Sequence, residues 1–455
     1  MPGSDGDSMI PALANWIADP RRSVPPEALR EAARALLDTL GCMIAGAREP
    51  VAVRAAAALE AAGERGTVRP VGRTTGTTMG AAALLNGVAA HALDLDDYEV
   101  PGSTHPSAVL YAALLALAED RPVRLADLLT AHVAGYETII RIGLALGYGH
   151  YLAGWHATST LGPLGAAAAA SALLGLDAVR TAHALALATS ASGGSKAQFG
   201  TDAKPLHAGH AARGGLEAAL LAQAGLTAAT GIFDAPDGFL ALYGTPASPG
   251  AAAALADLGD PCAILAHPPL RKPWPSCAYT HRAIEAAQRI AATPGFAPER
   301  IAGVVVRMPE PYARVVAIAE PTTPAQARFS VRHCVAATLL RGTLGPDDFT
   351  LAMLESPAIR ALCERIVLEV YPPSPDIGDM SPAAPDSLRV VLSDGQSFAV
   401  TIGEVLGGPA RPLDDDALRS RFLTCGGTAE AADAIIAPRA DAIWRPSRHA
   451  CPHDD

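Results

Sequence analysis

Apolar residues recur at intervals of three and four through most of the first half of the chain. In residues 25–46, PPEALREAARALLDTLGCMIAG, the apolar positions 29, 33, 36, 37, 40, 43 and 44 follow helical spacing, and the leading prolines suit a first helical turn. The same period returns in 52–63, 79–97, 107–119, 125–147, 163–174, 179–192 and 209–224, which predicts a helical domain of roughly 260 residues. The texture changes at 261–276, PCAILAHPPLRKPWPS, where five prolines break the pattern. Beyond it, IAGVVVRM (301–308) reads as a strand. SLRVVLSDGQSFAVTIG (387–403) alternates Leu388, Val390, Leu392 and then Phe398, Val400, Ile402 around Asp394-Gly395, the pattern of a hairpin. Helical spacing lies between them over 324–342 and 346–364, and 413–436 returns to helix. The expected fold is mainly α with an α+β lid. A large helical domain spans 1–268, rejoined by 404–455, and a smaller α/β domain spans 269–403.

Length and composition sharpen that picture. At 455 residues the chain exceeds the usual single core, and its alanine- and leucine-rich composition with 5% aromatics favours helix-on-helix packing. A net charge of −11 with no basic tract argues against a nucleic-acid partner. Seven scattered cysteines without a C-x-x-C pair suit a reduced, cytoplasmic protein and suggest no structural zinc. The acidic N-terminus lacks the basic n-region and apolar core of a signal peptide, and the alanine run near 163–176 reads as too short for a membrane span.

One compositional fact bears directly on chemistry. Of 35 basic residues only three are lysines: Lys196, Lys204 and Lys272. In a background that uses arginine for generic positive charge, surviving lysines mark places that need a compact, tunable ammonium.

Titratable residues concentrate in four stretches. HALDLDDYEVPGSTHPSAVL (91–110) carries Asp94, Asp96, Asp97, Tyr98 and His105. A helix through it would put Asp94 and Asp97 on one face with Tyr98 a turn away, leaving Asp96 as a surface group or turn-former. GHYLAGWHATSTLGPLGAAAA (149–170) places His156 before Thr158, Ser159 and Thr160, hydroxyls suited to capping a helix and cradling a carboxylate. GGSKAQFGTDAKPLHAGHAARGG (193–215) carries Lys196, Lys204, His207, His210 and Arg213. RKPWPSCAYTHRAIEAA (271–287) sets Lys272, Cys277 and His281 around a helix start at the domain junction. None has metal-ligand spacing, and no strand–GxGxxG–helix unit or Walker lysine is present. Acid–base chemistry on an anion remains, with histidines to move protons and lysines to hold carboxylates.

Together NGVAAHALDLDDY with THPS, GWHATSTLGPLGAA, TDAKPLHAGHAARGG and KPWPSCAYTH resemble the 2-methylcitrate dehydratase (MmgE/PrpD) family, in order over nearly the whole chain. The resemblance implies a helical domain with an α/β lid, a homodimer, a site between the two domains and neither metal nor organic cofactor. It implies His105, His156, Lys204 and Lys272 as catalytic residues beside Asp94, with Tyr98, Thr158, His207, Cys277 and His281 expected to contact a small polycarboxylate. Dehydration is the reaction expected first. The alternatives are epimerisation of an imino- or hydroxy-dicarboxylate, decarboxylation of cis-aconitate, and carboxylate binding without catalysis. The family's decarboxylase branch carries a histidine where this chain has Cys277 and a lid tyrosine near Ala317, whereas HYLAGWHATSTLG and WPSC look more like its iminodisuccinate epimerase branch.

Overall fold

A computed structural model describes residues 8–374, 377–437 and 442–444. The chain opens with ten α-helices: α1 (Met9–Ala18), α2 (Pro26–Gly46), α3 (Pro50–Ala61), α4 (Met79–His91), α5 (Pro106–Glu119), α6 (Leu125–Leu146), α7 (Tyr148–Leu152), α8 (Ala157–Leu174), α9 (Ala178–Ala188) and α10 (Ala203–Gln223). The organising element is α8. Helices α5, α6, α9 and α10 pack on it, α4 lies against α5 and α10, and α2 lies against α4. Every residue of α8 from Ala157 to Ser171 is buried, so it has no polar face. It starts ahead of the alanine run and, among the described residues, is the one helix long and apolar enough to cross a membrane. Here 83% of it is buried by its neighbours, which gives it the role of a core helix.

Small residues let these helices meet backbone to backbone. A Cβ on Gly209 of α10 would lie 2.5 Å from the Leu84 carbonyl oxygen of α4, and one on Gly135 of α6 would lie 2.8 Å from the Gly165 oxygen of α8. Pro163 sits inside α8 and donates no hydrogen bond; the Ser159 carbonyl it leaves free accepts instead from the Gly193 N–H at 3.4 Å. That bond ties the start of α8 to the Gly-rich stretch before Lys196.

The lid is built on a four-stranded sheet. With β1 (Val123–Arg124) in the helical part, the sheet strands are β2 (Ile301–Pro309), β3 (Ile366–Tyr371), β4 (Asp386–Leu392) and β5 (Ser397–Ile402), in the order β3-β2-β4-β5. β2 and β3 run parallel and the other pairs antiparallel. The hairpin pairs Leu388 with Val400 and Val390 with Phe398, and Gly395 takes the left-handed conformation at its turn. The helix His281–Ala291 covers β4 and β5. β3 was not foreseen, because its Val367 and Val370 face solvent on an edge strand and give no clear alternation. The expected helices over 324–342 and 346–364 are broken: Ser330 and Thr350 accept from the N–H three residues on and start new helices.

The helices Asp415–Thr424 and Ala429–Ile436 pack on α2, and β6 (Ile443–Trp444) pairs with β1. Residues 438–441 and 445–455, with Cys451, belong to the expected returning segment and lie outside the described residues, as do 1–7.

The close approach of α4 and α10 is testable. Gly209→Ala should lower the unfolding free energy by about 1–3 kcal/mol, the usual effect of overpacking a tight contact. Gly193→Ala, whose Cβ meets nothing within 4 Å, should stay near wild type in the same denaturant titration.

Candidate active site

Two helix starts define the site. His105 precedes Pro106 at the N-cap of α5, and His156 holds the same position on α8. Proline at the first helical position fixes the entry angle of α5, and the His105 N–H donates to Thr158 Oγ1 at 3.0 Å. The two N-termini are thereby tied together, with their imidazoles where the helix dipoles are positive. Glu99 shapes the turn before His105 by accepting from the Gly102 and Thr104 N–H groups at 2.8 and 3.1 Å and from Thr104 Oγ1 at 2.6 Å.

The aspartates part company with the helical expectation. α4 ends at His91, and Asp94 adopts φ +50°, a left-handed conformation that aspartate tolerates better than most residues. Asp94 and Asp97 therefore share no helix face. Asp94 receives both Lys204 Nζ and Lys272 Nζ on its carboxylate, and Lys272 also donates to its backbone carbonyl at 2.9 Å. Burial opposes the Asp94 charge, but the two ammonium groups hold its carboxyl well below the usual range. Asp97 instead accepts from Ser107 N and Oγ at 3.2 and 2.5 Å, inside the first turn of α5.

Asp96 is no surface group. It is fully buried and accepts from His91 Nδ1 at 2.7 Å, while His105 Nδ1 lies 3.3 Å from the same oxygen. The chain leaves the helix at His91, which turns the following residues inward. Burial resists the charge on Asp96, but His91 and His105 hold its carboxyl well below normal. His91, Asp96 and His105 each offer one ligand-capable atom, all within 4.8 Å of one another, a set the sequence spacing did not announce.

A narrow inner cavity of about 20 Å³ opens between these elements. His105, His156 and Lys204 form one wall, and Tyr98, Tyr151 and Tyr279 another; Ser103, Cys277, Ala278, Phe199 and Phe329 complete it. Burial pushes His105 down to about 3 and His156 well below normal, so both imidazoles are neutral near pH 7. His156 Nδ1 is 3.0 Å from His207 Nδ1, and its Nε2 has no partner. Burial pushes the Cys277 thiol up to about 12.

The remaining expected residues stand behind this wall. Thr158 positions His105, His207 backs His156, and Lys272 is fully buried against Asp94. The thread of hydroxyls expected to precede a helix lies within its first turn, because α8 begins at Ala157. His281, expected to contact substrate, lies outside the cavity lining: its Nε2 bonds the Ser276 carbonyl at 3.2 Å and its ring packs on Trp274.

The sequence reading named Tyr98 but missed the carboxylate behind it. Asp379, from the segment between β3 and β4, accepts from Tyr98 OH, from Ser103 Oγ at 3.0 Å and from Tyr279 OH at 2.9 Å. Nothing in PSPDIGDM marks that role locally. On the other side of Lys204, a cleft of about 530 Å³ runs between α3, α10 and residues 323–329, and Asp94 and His91 face it.

Comparison with known proteins fits this geometry. The MmgE/PrpD N-terminal domain profile matches residues 11–252, and the C-terminal domain profile matches 274–439. Cis-aconitate decarboxylase of Mus musculus is 31% identical over 373 residues, covering 78% of this chain and 74% of the relative. The Homo sapiens cis-aconitate decarboxylase is 32% identical over 355 residues, 75% and 71% of the two chains. A cis-aconitate decarboxylase-like protein of Aspergillus oryzae is 36% identical over 243 residues, about half of each chain.

Removing the anion between the two lysines should be severe. Asp94→Asn would leave two buried ammonium groups without it, and unfolding free energy at neutral pH should drop by about 3–5 kcal/mol. Because the Asp94 carboxyl is held low, the wild-type advantage is present above the ordinary carboxylate range and is lost as pH falls through the folded value. Denaturant titrations should therefore show the gap narrowing in acid; a variant as stable as wild type at neutral pH would break the assignment.

Proposed function

The chain belongs to the MmgE/PrpD family, and from that premise we propose that it is a lyase that builds negative charge on a carbon beside a carboxylate of a small di- or tricarboxylate. The observation that carries this reading is the pair of buried, neutral histidines at the starts of α5 and α8, lining one cavity together with Lys204. Lys204 holds a substrate carboxylate as a point charge, and His105 or His156 moves the proton. The ammonium and the positive ends of the two helix dipoles stabilise the enolate-like charge. The substrate class is supported by the family and by the Lys204 ammonium in the cavity lining.

Three probes cover the reaction types: cis-aconitate, the substrate named for the relatives, and the hydroxy-tricarboxylates citrate and 2-methylcitrate. Cys277 and Ala317 favour a second reading, water elimination or epimerisation rather than loss of CO₂, because the histidine and lid tyrosine of the decarboxylase branch are replaced. In either reading the chain works as a homodimer with no resident cofactor, its cations being its own lysines. A monomer in sedimentation at micromolar concentration would overturn the first part.

Incubation in deuterated water followed by NMR separates the outcomes. Loss of CO₂, loss of water, and inversion with deuterium entry each leave a distinct product. Lys204→Met should weaken binding and rate together by about 2–5 kcal/mol, and Lys204→Arg should not restore them, since its donors point differently. Replacing the proton-moving histidine by glutamine should lower turnover at least about 10²-fold and spare binding. If Lys204→Met, His105→Gln and His156→Gln all keep wild-type turnover while folded, the proposed site is wrong.

A further inference from the structure

The three hydroxyls gathered on Asp379 raise a question of proton inventory. With Asp379 ionised, Tyr98, Tyr279 and Ser103 all aim their protons at its carboxylate, and none is left to point into the cavity. One extra proton on Asp379 reverses this at Tyr98: the carboxyl donates to the Tyr98 oxygen, and the Tyr98 proton turns into the cavity that its ring lines, 5.4 Å from the His105 ring.

We propose that Asp379 is a proton-storing, positioning residue and that Tyr98, beside His105 in the cavity lining, delivers its proton to the substrate. The proposal rests on the lyase reading above and adds its acid arm. In loss of CO₂, the C–C bond breaks, its electron pair stays on the substrate carbon skeleton, and the Tyr98 proton forms the new C–H bond. In loss of water, a histidine takes the C–H proton, that pair forms the double bond, and the departing hydroxide takes the Tyr98 proton. In both, Asp379 re-protonates Tyr98 and is left as a carboxylate held by three hydroxyls.

The surroundings suit storage. Asp379 is 5% exposed, and burial raises its pKa against the opposing pull of its three hydroxyl donors. Tyr148 and Tyr151 of α7 and Tyr312 lie around it. Lys196, a cation that feels Asp379, lies over the Tyr151 ring at 3.7 Å, its own pKa pushed by burial to about 8. Glu99 on the helical side is itself raised to about 7 by burial. Arg282 fixes the segment by donating to the Met380 carbonyl and, at 2.9 Å, to that of Ala384.

The test compares wild type with Asp379→Asn and Tyr98→Phe on whichever probe is turned over. Asparagine keeps an acceptor for the hydroxyls but stores no proton. An acid must be protonated, so wild-type kcat should fall as pH rises through the Asp379 pKa. Asp379→Asn should lower kcat at least about 100-fold, leave KM within a few-fold, and lose that alkaline limb. Tyr98→Phe should lower kcat alike. A purely structural latch would change stability and leave the pH profile in place. Infrared difference spectra supply a readout without substrate: wild type on the acid side of that limb should show the carbonyl stretch of a protonated buried carboxyl that Asp379→Asn lacks. The difference is needed because Asp97, Glu99 and Asp386 are also raised. No such band, or a folded Asp379→Asn with wild-type kcat and pH profile, overturns the relay and leaves the lyase reading standing; a wild type inert towards all three probes overturns the lyase reading.

Discussion

The Asp94 carboxylate between Lys204 and Lys272 is the contact on which the site depends. It joins three pieces of chain that are far apart in sequence: the end of α4, the start of α10 and the proline-rich junction before the lid. Charge buried this deeply is tolerated only when paired and hydrogen-bonded. Two lysines on one carboxylate would still leave a surplus positive charge. Asp96 offsets it, since its pull also raises Lys272. The same aspartate fixes His91 and reaches His105, so the charge balance of the lysines and the orientation of the histidines are one arrangement.

That arrangement constrains the backbone. For Asp94 to face both lysines, α4 must stop at His91 and the chain must pass through a left-handed residue. The turn then runs inward past Asp96, Asp97 and Glu99, each bonded by a different partner, before His105 starts α5. Helix periodicity cannot report this, because the apolar spacing continues through Leu93 and Leu95 while the backbone does not. The extended helical reading of 79–97 and the outward placing of Asp96 fail for this one reason.

What the sequence discloses and what it hides separate along physical lines. The helical layer was legible because alanine and leucine repeat with a helical period, and the β4–β5 hairpin because its alternation surrounds Asp394-Gly395. Lys204 and Lys272 stood out by rarity, and both prove buried on Asp94. His105 and His156 stood out as histidines beside small polar residues, though their position as helix N-caps was visible only for His105, whose Pro106 marks a helix start. Asp379 was hidden because its partners Tyr98, Ser103 and Tyr279 lie some 100 to 280 positions away. Long-range polar networks leave no period. His281 shows the converse: a histidine in a promising stretch that turns to Trp274 and a backbone carbonyl.

The low proton affinity of the empty site bears on how a base could work there. At about 3, His105 would accept a proton reluctantly from a carbon acid. On the proposed reading the substrate changes this. Each carboxylate held roughly 5 Å from the imidazole contributes about 3 kcal/mol at an effective dielectric of ~20, about a hundredfold in proton affinity. A dicarboxylate or tricarboxylate therefore brings the histidine towards neutral pH only while it is bound. Lys204 limits the gain, because part of the substrate's charge is spent on its ammonium, as part of Asp94's is now. A base that is weak when the cavity is empty and stronger when a polyanion fills it would favour substrates with a carboxylate left over after Lys204 is satisfied. Small monocarboxylates would bind without activating it.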